Sequence, residues 1–124
     1  MKSLQNIALA GFFTFFLPFS ISAQSQDTTL IVNGVCGMCE KVIEKAAKIE
    51  GVSTAEWDQN TKVLRLSYSS EKVSLAEINK AVAASGYDTE YLAAPDTAYQ
   101  ALHACCHYRD PKVVEDHQAK SSKK

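Results

Sequence analysis

Residues 32–41 have the sequence VNGVCGMCEK, in which Cys36 and Cys39 are three positions apart. A β-branched, apolar run precedes this segment, and apolar residues at helical spacing follow it. The pattern predicts a strand over residues 28–33, a glycine-bearing loop, and a helix over residues 39–49. Because the loop joins a strand to a helix, it places both thiols at the helix start.

Thiols at the start of a helix have a distinctive electrostatic environment. Unpaired backbone N–H groups and the positive end of the helix dipole lower the pKa of a thiol there and favour the thiolate. Thiolates bind Cu(I), Zn(II) and similar soft ions in preference to Ca²⁺ or Mg²⁺. The segment therefore predicts a soft-metal site that contains Cys36 and Cys39.

Residues 1–23 have the features of a secretory signal peptide. Lys2 supplies a positive charge, residues 7–17 are almost continuously apolar, and small residues predict cleavage between Ala23 and Gln24. The apolar run is shorter than the roughly 20 residues that a membrane span requires. We therefore expect a secreted, periplasmic protein, with an uncleaved N-terminal anchor as the alternative.

Charge and composition exclude two classes of function. The whole chain has a formal net charge of −1, and loss of Lys2 with the signal peptide leaves −2 on the mature protein. This is not the basic stripe that a nucleic-acid-binding protein presents. The sequence also contains no recognisable paired catalytic carboxylates, phosphate-binding loop or nucleophile–base arrangement, so we expect no enzymatic activity and no nucleic-acid partner.

The remaining elements are predicted in the order β-α-β-β-α-β. Strands are expected at residues 52–58 and 63–68, a second helix from Leu75 behind the capping box at 74–77, and a short fourth strand at 87–91. This order predicts an α+β protein with a ferredoxin-like βαββαβ sandwich, in which two helices cover one face of a four-stranded antiparallel sheet.

The cysteine pair is accompanied by three short motifs: Gly51-Val52, Lys72-Val73-Ser74 and Ser85-Gly86-Tyr87-Asp88. With these motifs, residues 28–91 resemble the heavy-metal-associated (HMA) domain family, which includes copper chaperones and periplasmic mercury-binding proteins. The resemblance implies an HMA domain over residues 27–92 and Cys36 and Cys39 as metal ligands. It also places Tyr87 beside the loop at residues 34–38, which we call the metal loop. Gly34 stands where the family usually has methionine, and Met38 is expected beside the ligands as a loop residue, a core plug or a thioether ligand.

A second soft-ligand cluster lies in the C-terminal extension, residues 93–110. Cys105, Cys106 and His107 are consecutive there. The 13 steps from Leu92 to Cys105 are long enough to return across the domain to the metal loop. We therefore hypothesise that the extension folds back and that all three residues add metal ligands. Structural disulfides, a separate redox-sensitive tail and simple packing are the alternatives. Residues 111–124 are predicted to be a disordered charged tail.

Together these features predict a protein that captures a soft metal ion and hands it over. Cu(I) is favoured, with Zn(II) and Hg(II) as alternatives. The expected partner is a metal-transporting membrane protein or another metal-binding domain. Two other classes stay open: a thiol–disulfide redox protein that uses the same cysteine pair, and a structural zinc module.

Overall fold

The computed structural model describes residues 11, 13–18 and 24–123. Most of the predicted signal peptide, including its cleavage boundary at Ala23, lies outside these residues, as does Lys124 at the end of the predicted tail. None of the described helices combines the length and the apolar character that a membrane crossing requires.

Among the described residues, three strands and four α-helices form an α+β fold. In chain order they are β1 (Ser25–Ile31), α1 (Gly37–Ala47), β2 (Val52–Trp57), β3 (Val63–Ser69), α2 (Leu75–Ala84), α3 (Asp96–Gln100) and α4 (Pro111–Ser121), with a 3-10 helix at Ala104–Cys106 before α4. The strands form one antiparallel sheet in the order β1-β3-β2. The predicted α+β class is confirmed.

Hydrophobic periodicity explains how the helices cover the sheet. Alternate residues of β3 are buried, so one face of the sheet is apolar. Both helices contribute buried residues to the same core, α1 through Cys39, Ile43 and Ala47 and α2 through Ile78 and Val82. The predicted capping box of α2 is present, because the Ser74 side chain and the Glu77 side chain each accept a hydrogen bond from the other residue's backbone.

The predicted fourth strand at residues 87–91 is not formed. Thr89 makes an isolated bridge with Val32 and then closes a turn, in which its N–H donates to the Leu92 carbonyl at 2.8 Å. The N–H of Ile31 donates to the Glu90 carboxylate at 3.0 Å. The chain turns here, and the Glu90 side chain accepts the hydrogen bond of a backbone N–H in β1. The sheet of the described residues therefore has three strands and lacks the fourth strand of the predicted ferredoxin-like sandwich.

Residues 111–121, predicted to be disordered, form α4. The Asp110 side chain accepts a hydrogen bond from the Lys112 N–H at 3.0 Å, and Pro111 occupies the first turn. Both features favour helix initiation. None of the residues of α4 is fully buried, although Val113 and Val114 pack against the core. α4 is therefore a surface helix that rests on the domain.

Candidate metal centre

The loop between β1 and α1 places two cysteines at the start of a helix. Cys36 is the N-cap of α1 with extended backbone, and Cys39 lies in the first helical turn. Their Sγ atoms are 3.4 Å apart. Cys39 is fully buried and Cys36 is 8% exposed. The pair therefore lies at the edge of the core, where the N-terminal N–H groups of α1 favour negative charge.

Cys106 brings a third sulfur to this pair. Its Sγ lies 3.7 Å from the Cys36 Sγ, and the sulfurs of Cys36, Cys39 and Cys106 all lie within 4.8 Å of one another. We call these residues the three-sulfur cluster. Two sulfurs that bind one ion at about 2.3 Å are about 3.8 Å apart at a tetrahedral angle. The observed spacing fits a single soft ion.

The other predicted site residues lie around the cluster. The Cys105 thiol is exposed, 3.8 Å from the Cys106 Sγ and 3.6 Å from the Met38 Sδ. His107 Nε2 lies 3.0 Å from the Leu102 carbonyl oxygen. The extension thus folds back onto the metal loop and brings Cys106 into the cluster, whereas Cys105 and His107 lie outside it.

Tyr87 lies against the cluster from the core side. Its side chain is fully buried, and its hydroxyl makes no hydrogen bond of ordinary geometry with any described residue. The hydroxyl is nevertheless close enough to Cys39 to favour the thiolate there. Burial, together with the neighbouring Cys39 sulfur, raises the pKa of Tyr87. Tyr87 therefore stays protonated, with its hydroxyl beside the sulfurs.

The three thiols differ in their readiness to ionise. Burial raises the pKa of Cys39, but the nearby Tyr87 hydroxyl, the Val35 backbone and the other two thiols together lower it by more, so the net shift is downward. Burial raises the pKa of Cys36 and of Cys106. Cys39 is therefore the most readily ionised of the three thiols, and an ion that binds all three sulfurs must displace their protons.

Lys62 places a cation beside the loop that carries these sulfurs. Its Nζ donates to the Gly34 carbonyl and lies 5.5 Å from the centroid of the Trp57 ring. Burial lowers the pKa of Lys62, and the charges of Cys39 and Cys36 oppose that change. No local pattern in the sequence indicates that the Lys62 side chain returns to the metal loop.

Trp57 explains why glycine stands at position 34. A Cβ at this position would lie 2.9 Å from two carbons of the indole ring. The indole Nε1–H donates to the Val32 carbonyl at 3.1 Å, which fixes the ring under the loop. Met38 does not act as a core plug, since it is 46% exposed. The space below the loop is therefore filled by Trp57, and only glycine fits above it.

An ion pair holds the extension against the domain. The Arg109 guanidinium donates to both Asp88 carboxylate oxygens, through Nη2 at 2.7 Å and through Nε at 3.2 Å. Although burial raises the pKa of the Asp88 carboxyl, these hydrogen bonds lower it below its ordinary value. Arg109 also donates to Asp96 and to the Ala94 carbonyl, each at 3.0 Å. Such fork-like donation fixes geometry as well as charge.

Tyr108 forms a second attachment next to this ion pair. Its hydroxyl donates to the Gly86 carbonyl at 2.9 Å and accepts from the Asp88 N–H at 2.8 Å, and burial raises its pKa to about 12. Its ring stacks on Tyr87 with centroids 5.6 Å apart. Sequence reasoning missed Arg109, Asp88 and Tyr108 as residues that position Cys106, because no local pattern pairs them.

The fold and the sulfur geometry define a small thiolate metal-binding domain. Residues 29–88 match the family described as the heavy-metal-associated domain. The copper chaperone CopZ of Staphylococcus haemolyticus is 34% identical over 56 residues, which cover 44% of this chain and 82% of that protein. The chain belongs to the heavy-metal-associated domain family, as its sequence predicts.

Solved structures of related proteins have the same fold. Oxidized MerP from Ralstonia metallidurans CH34 is 32% identical, with 53% of this chain and 94% of that chain covered and a TM-score of 0.50. The N-terminal domain of a potential copper-translocating P-type ATPase from Bacillus subtilis, in its Cu(I)-loaded state, is 27% identical, with 52% and 84% covered and a TM-score of 0.50. The family match ends at Asp88, before the segment that carries Cys106.

Proposed function

We propose that this protein captures a soft metal ion and hands it to a partner, with Cu(I) as the favoured ion and Zn(II) or Hg(II) as the alternatives. The observation that carries the proposal is the three-sulfur cluster, with Cys106 Sγ 3.7 Å from Cys36 Sγ and all three sulfurs within 4.8 Å. Thiolates at this spacing are the donors that Cu(I) prefers. The copper chaperone named among the relatives supports the same choice.

The ion is cargo rather than a structural element. The domain has its own hydrophobic core, which includes fully buried side chains from the sheet and from both main helices: Leu30, Ile43, Leu64, Ile78 and Val82. A structural zinc module would need its ion to fold and would unfold on chelation. We expect this protein to remain folded when the ion is removed.

Transfer requires the cluster to open, and the loose packing of α4, the helix that follows the extension, supports this. α4 has no fully buried residue, and a cleft of about 480 Å³ lies between it and the metal loop. A partner that supplies its own thiolates can therefore lift the extension, replace Cys106 at the ion and then take the ion from Cys36 and Cys39. The partner is a metal-transporting membrane protein or another metal-binding domain, a choice supported by the ATPase domain among the related structures.

Cu(I) binding by the reduced chain, measured by competition with a chromophoric chelator, tests the proposal. We expect the double variant Cys36→Ser/Cys39→Ser to lose high-affinity binding. Cys106→Ser should bind at least about tenfold more weakly, since even the loss of an outer partner has an effect of that size. Unchanged binding in the double variant would refute the proposal. Catalytic reduction of a disulfide substrate without metal retention would identify a redox protein instead.

We also propose that the protein acts outside the cytoplasm. Support comes from the signal-like composition of residues 1–23 and from Phe13, Phe15 and Phe16, which are each at least 79% exposed and lie outside the core formed by the described residues. The mass of the protein recovered from the periplasmic fraction should correspond to a chain that begins at Gln24. Recovery of the full-length chain from the cytoplasm alone would contradict this.

A further inference from the structure

Two soft sulfur atoms lie together on the surface beside the three-sulfur cluster. Met38 Sδ and Cys105 Sγ are 3.6 Å apart, and both side chains are exposed. They come from opposite ends of the fold, 67 positions apart in the chain. A single ion in the cluster uses neither of them, so the pair is unexplained by the proposed function alone.

We propose that Cys105 and Met38 hold a second soft ion, joined to the first by the Cys106 thiolate. This inference rests on the proposed function, because it extends the same metal centre. A thiolate and a thioether are both soft donors and select Cu(I) over harder ions. The second site is therefore a Cu(I) site of one thioether and two thiolates.

Cys106 has the position of a bridging ligand. Its sulfur lies 3.8 Å from the Cys105 sulfur on one side and 3.7 Å from the Cys36 sulfur on the other. Both distances match the separation of about 3.8 Å between two sulfurs that share a tetrahedral ion. One thiolate can thus contact an ion in each site. On binding, the Cys105 thiol releases its proton to solvent and copper stays as Cu(I), so no oxidant is needed.

The backbone at Cys105 is held in place independently of any ion. A ring nitrogen of His117, in α4, donates to the Cys105 carbonyl at 3.0 Å, and the Cys106 N–H donates to the His103 carbonyl at 2.8 Å. Met38 is fixed from the other side, since it lies in the first turn of α1. The two sulfurs are therefore presented by ordered segments, and little reorganisation is required for an ion to bind between them.

Anaerobic Cu(I) titration of the reduced full chain against bicinchoninate tests the second site. We expect the wild-type chain to retain two copper ions and Cys105→Ser to retain one. Met38→Leu keeps an apolar side chain of similar size and removes the thioether, so it should weaken the second ion by at least about tenfold with the first unaffected. His103→Asn, which removes an exposed imidazole from the same segment, should still retain two.

The possible outcomes distinguish failure of the second site from failure of the proposed function. Retention of one ion by the wild-type chain, of two by Cys105→Ser, or of two with unchanged affinity by Met38→Leu would overturn the second site and leave the proposed function intact. Retention of none by the wild-type chain would overturn both. Far-UV circular dichroism of each variant, together with its retained first ion, shows that the fold has survived the substitution.

Discussion

Arg109 contacts Asp88 through two nitrogen–oxygen pairs, the shorter of which is 2.7 Å. This ion pair joins the segment that carries Cys106 to the turn that follows Tyr87. The Arg109 and Asp88 side chains are 31% and 22% exposed. The pair is thus partly shielded from solvent, unlike Arg65–Glu56, whose side chains are 68% and 71% exposed and 3.6 Å apart.

We predict that the extension detaches from the domain more often in Arg109→Gln than in the wild-type protein. Loss of a partly exposed ion pair costs about 1 kcal/mol, which corresponds to an approximately fivefold increase in the open population. The alkylation rate of Cys106, followed by peptide mass spectrometry, should rise by that factor. Arg65→Gln is the matched control and should leave the rate unchanged. Equal rates in both variants would show that Arg109 does not hold the extension.

The contribution of Asp88 to stability should depend on pH. Its carboxyl has a lower pKa in the folded state than in the unfolded chain, where the value is about 3.9. The stabilisation is therefore complete above about pH 4 and is lost as the pH falls through the folded-state pKa. Asp88→Asn should lower the free energy of unfolding at pH 7, and its difference from the wild type should shrink as the solution is acidified.

Urea denaturation at several pH values measures this difference. Asp116→Asn, an exposed substitution in α4, should change the free energy of unfolding little at any pH. A deficit of Asp88→Asn that stays constant down to strongly acidic pH would mean that the charge of Asp88 does not contribute.

Two glycines near the cysteines should respond differently to alanine. Gly34→Ala places a methyl group 2.9 Å from the Trp57 ring and should lower the free energy of unfolding by about 1–3 kcal/mol. Gly37→Ala meets no atom within 4 Å and should be neutral or stabilising by up to about 1 kcal/mol. Fluorescence of Trp57, the only tryptophan of the chain, follows both transitions. Equal stability of the two variants would contradict the packing described for Gly34.

Tyr87 and Tyr108 stack on each other, but loss of the hydroxyl should affect stability differently at the two positions. Tyr87→Phe removes a hydroxyl without a hydrogen-bond partner, so the free energy of unfolding should change by less than about 0.5 kcal/mol. The same change removes a nearby hydroxyl dipole that favours the Cys39 thiolate, so the pKa of Cys39 should rise. Tyr108→Phe leaves the Gly86 carbonyl and the Asp88 N–H unpaired and should cost about 1–3 kcal/mol.

The alkylation rate of Cys39 as a function of pH measures its pKa in both variants. A midpoint unchanged by Tyr87→Phe would show that the hydroxyl does not act on the thiol. A loss of stability in Tyr87→Phe as large as in Tyr108→Phe would show that the Tyr87 hydroxyl has a partner in solution.

The parts of the fold that follow local patterns could be predicted from the sequence. The spacing of Cys36 and Cys39, the helical stripe of α1 and the capping box at Ser74 each depend on residues a few positions apart. Chain length showed only that Cys105 and Cys106 could reach the metal loop. It did not reveal that Cys106 joins the first two sulfurs whereas Cys105 stays on the surface.

The parts that were missed depend on competition between side chains and backbone, or on contacts between distant residues. The side-chain oxygens of Thr89 and Glu90 accept hydrogen bonds from backbone N–H groups, and the fourth strand is limited to a single bridge. At α4, the start signal Asp110-Pro111 is present in the sequence, but the charged composition that follows it favoured disorder. No periodicity links Arg109 to Asp88, which are 21 positions apart.

Seventy positions separate Cys106 from Cys36 along the chain. Because translation runs from the amino end, the nascent polypeptide exposes two sulfurs long before it acquires the third. A chain that terminates before position 106 therefore keeps the first two sulfurs and lacks the third, so it should bind a soft ion through two thiolates only.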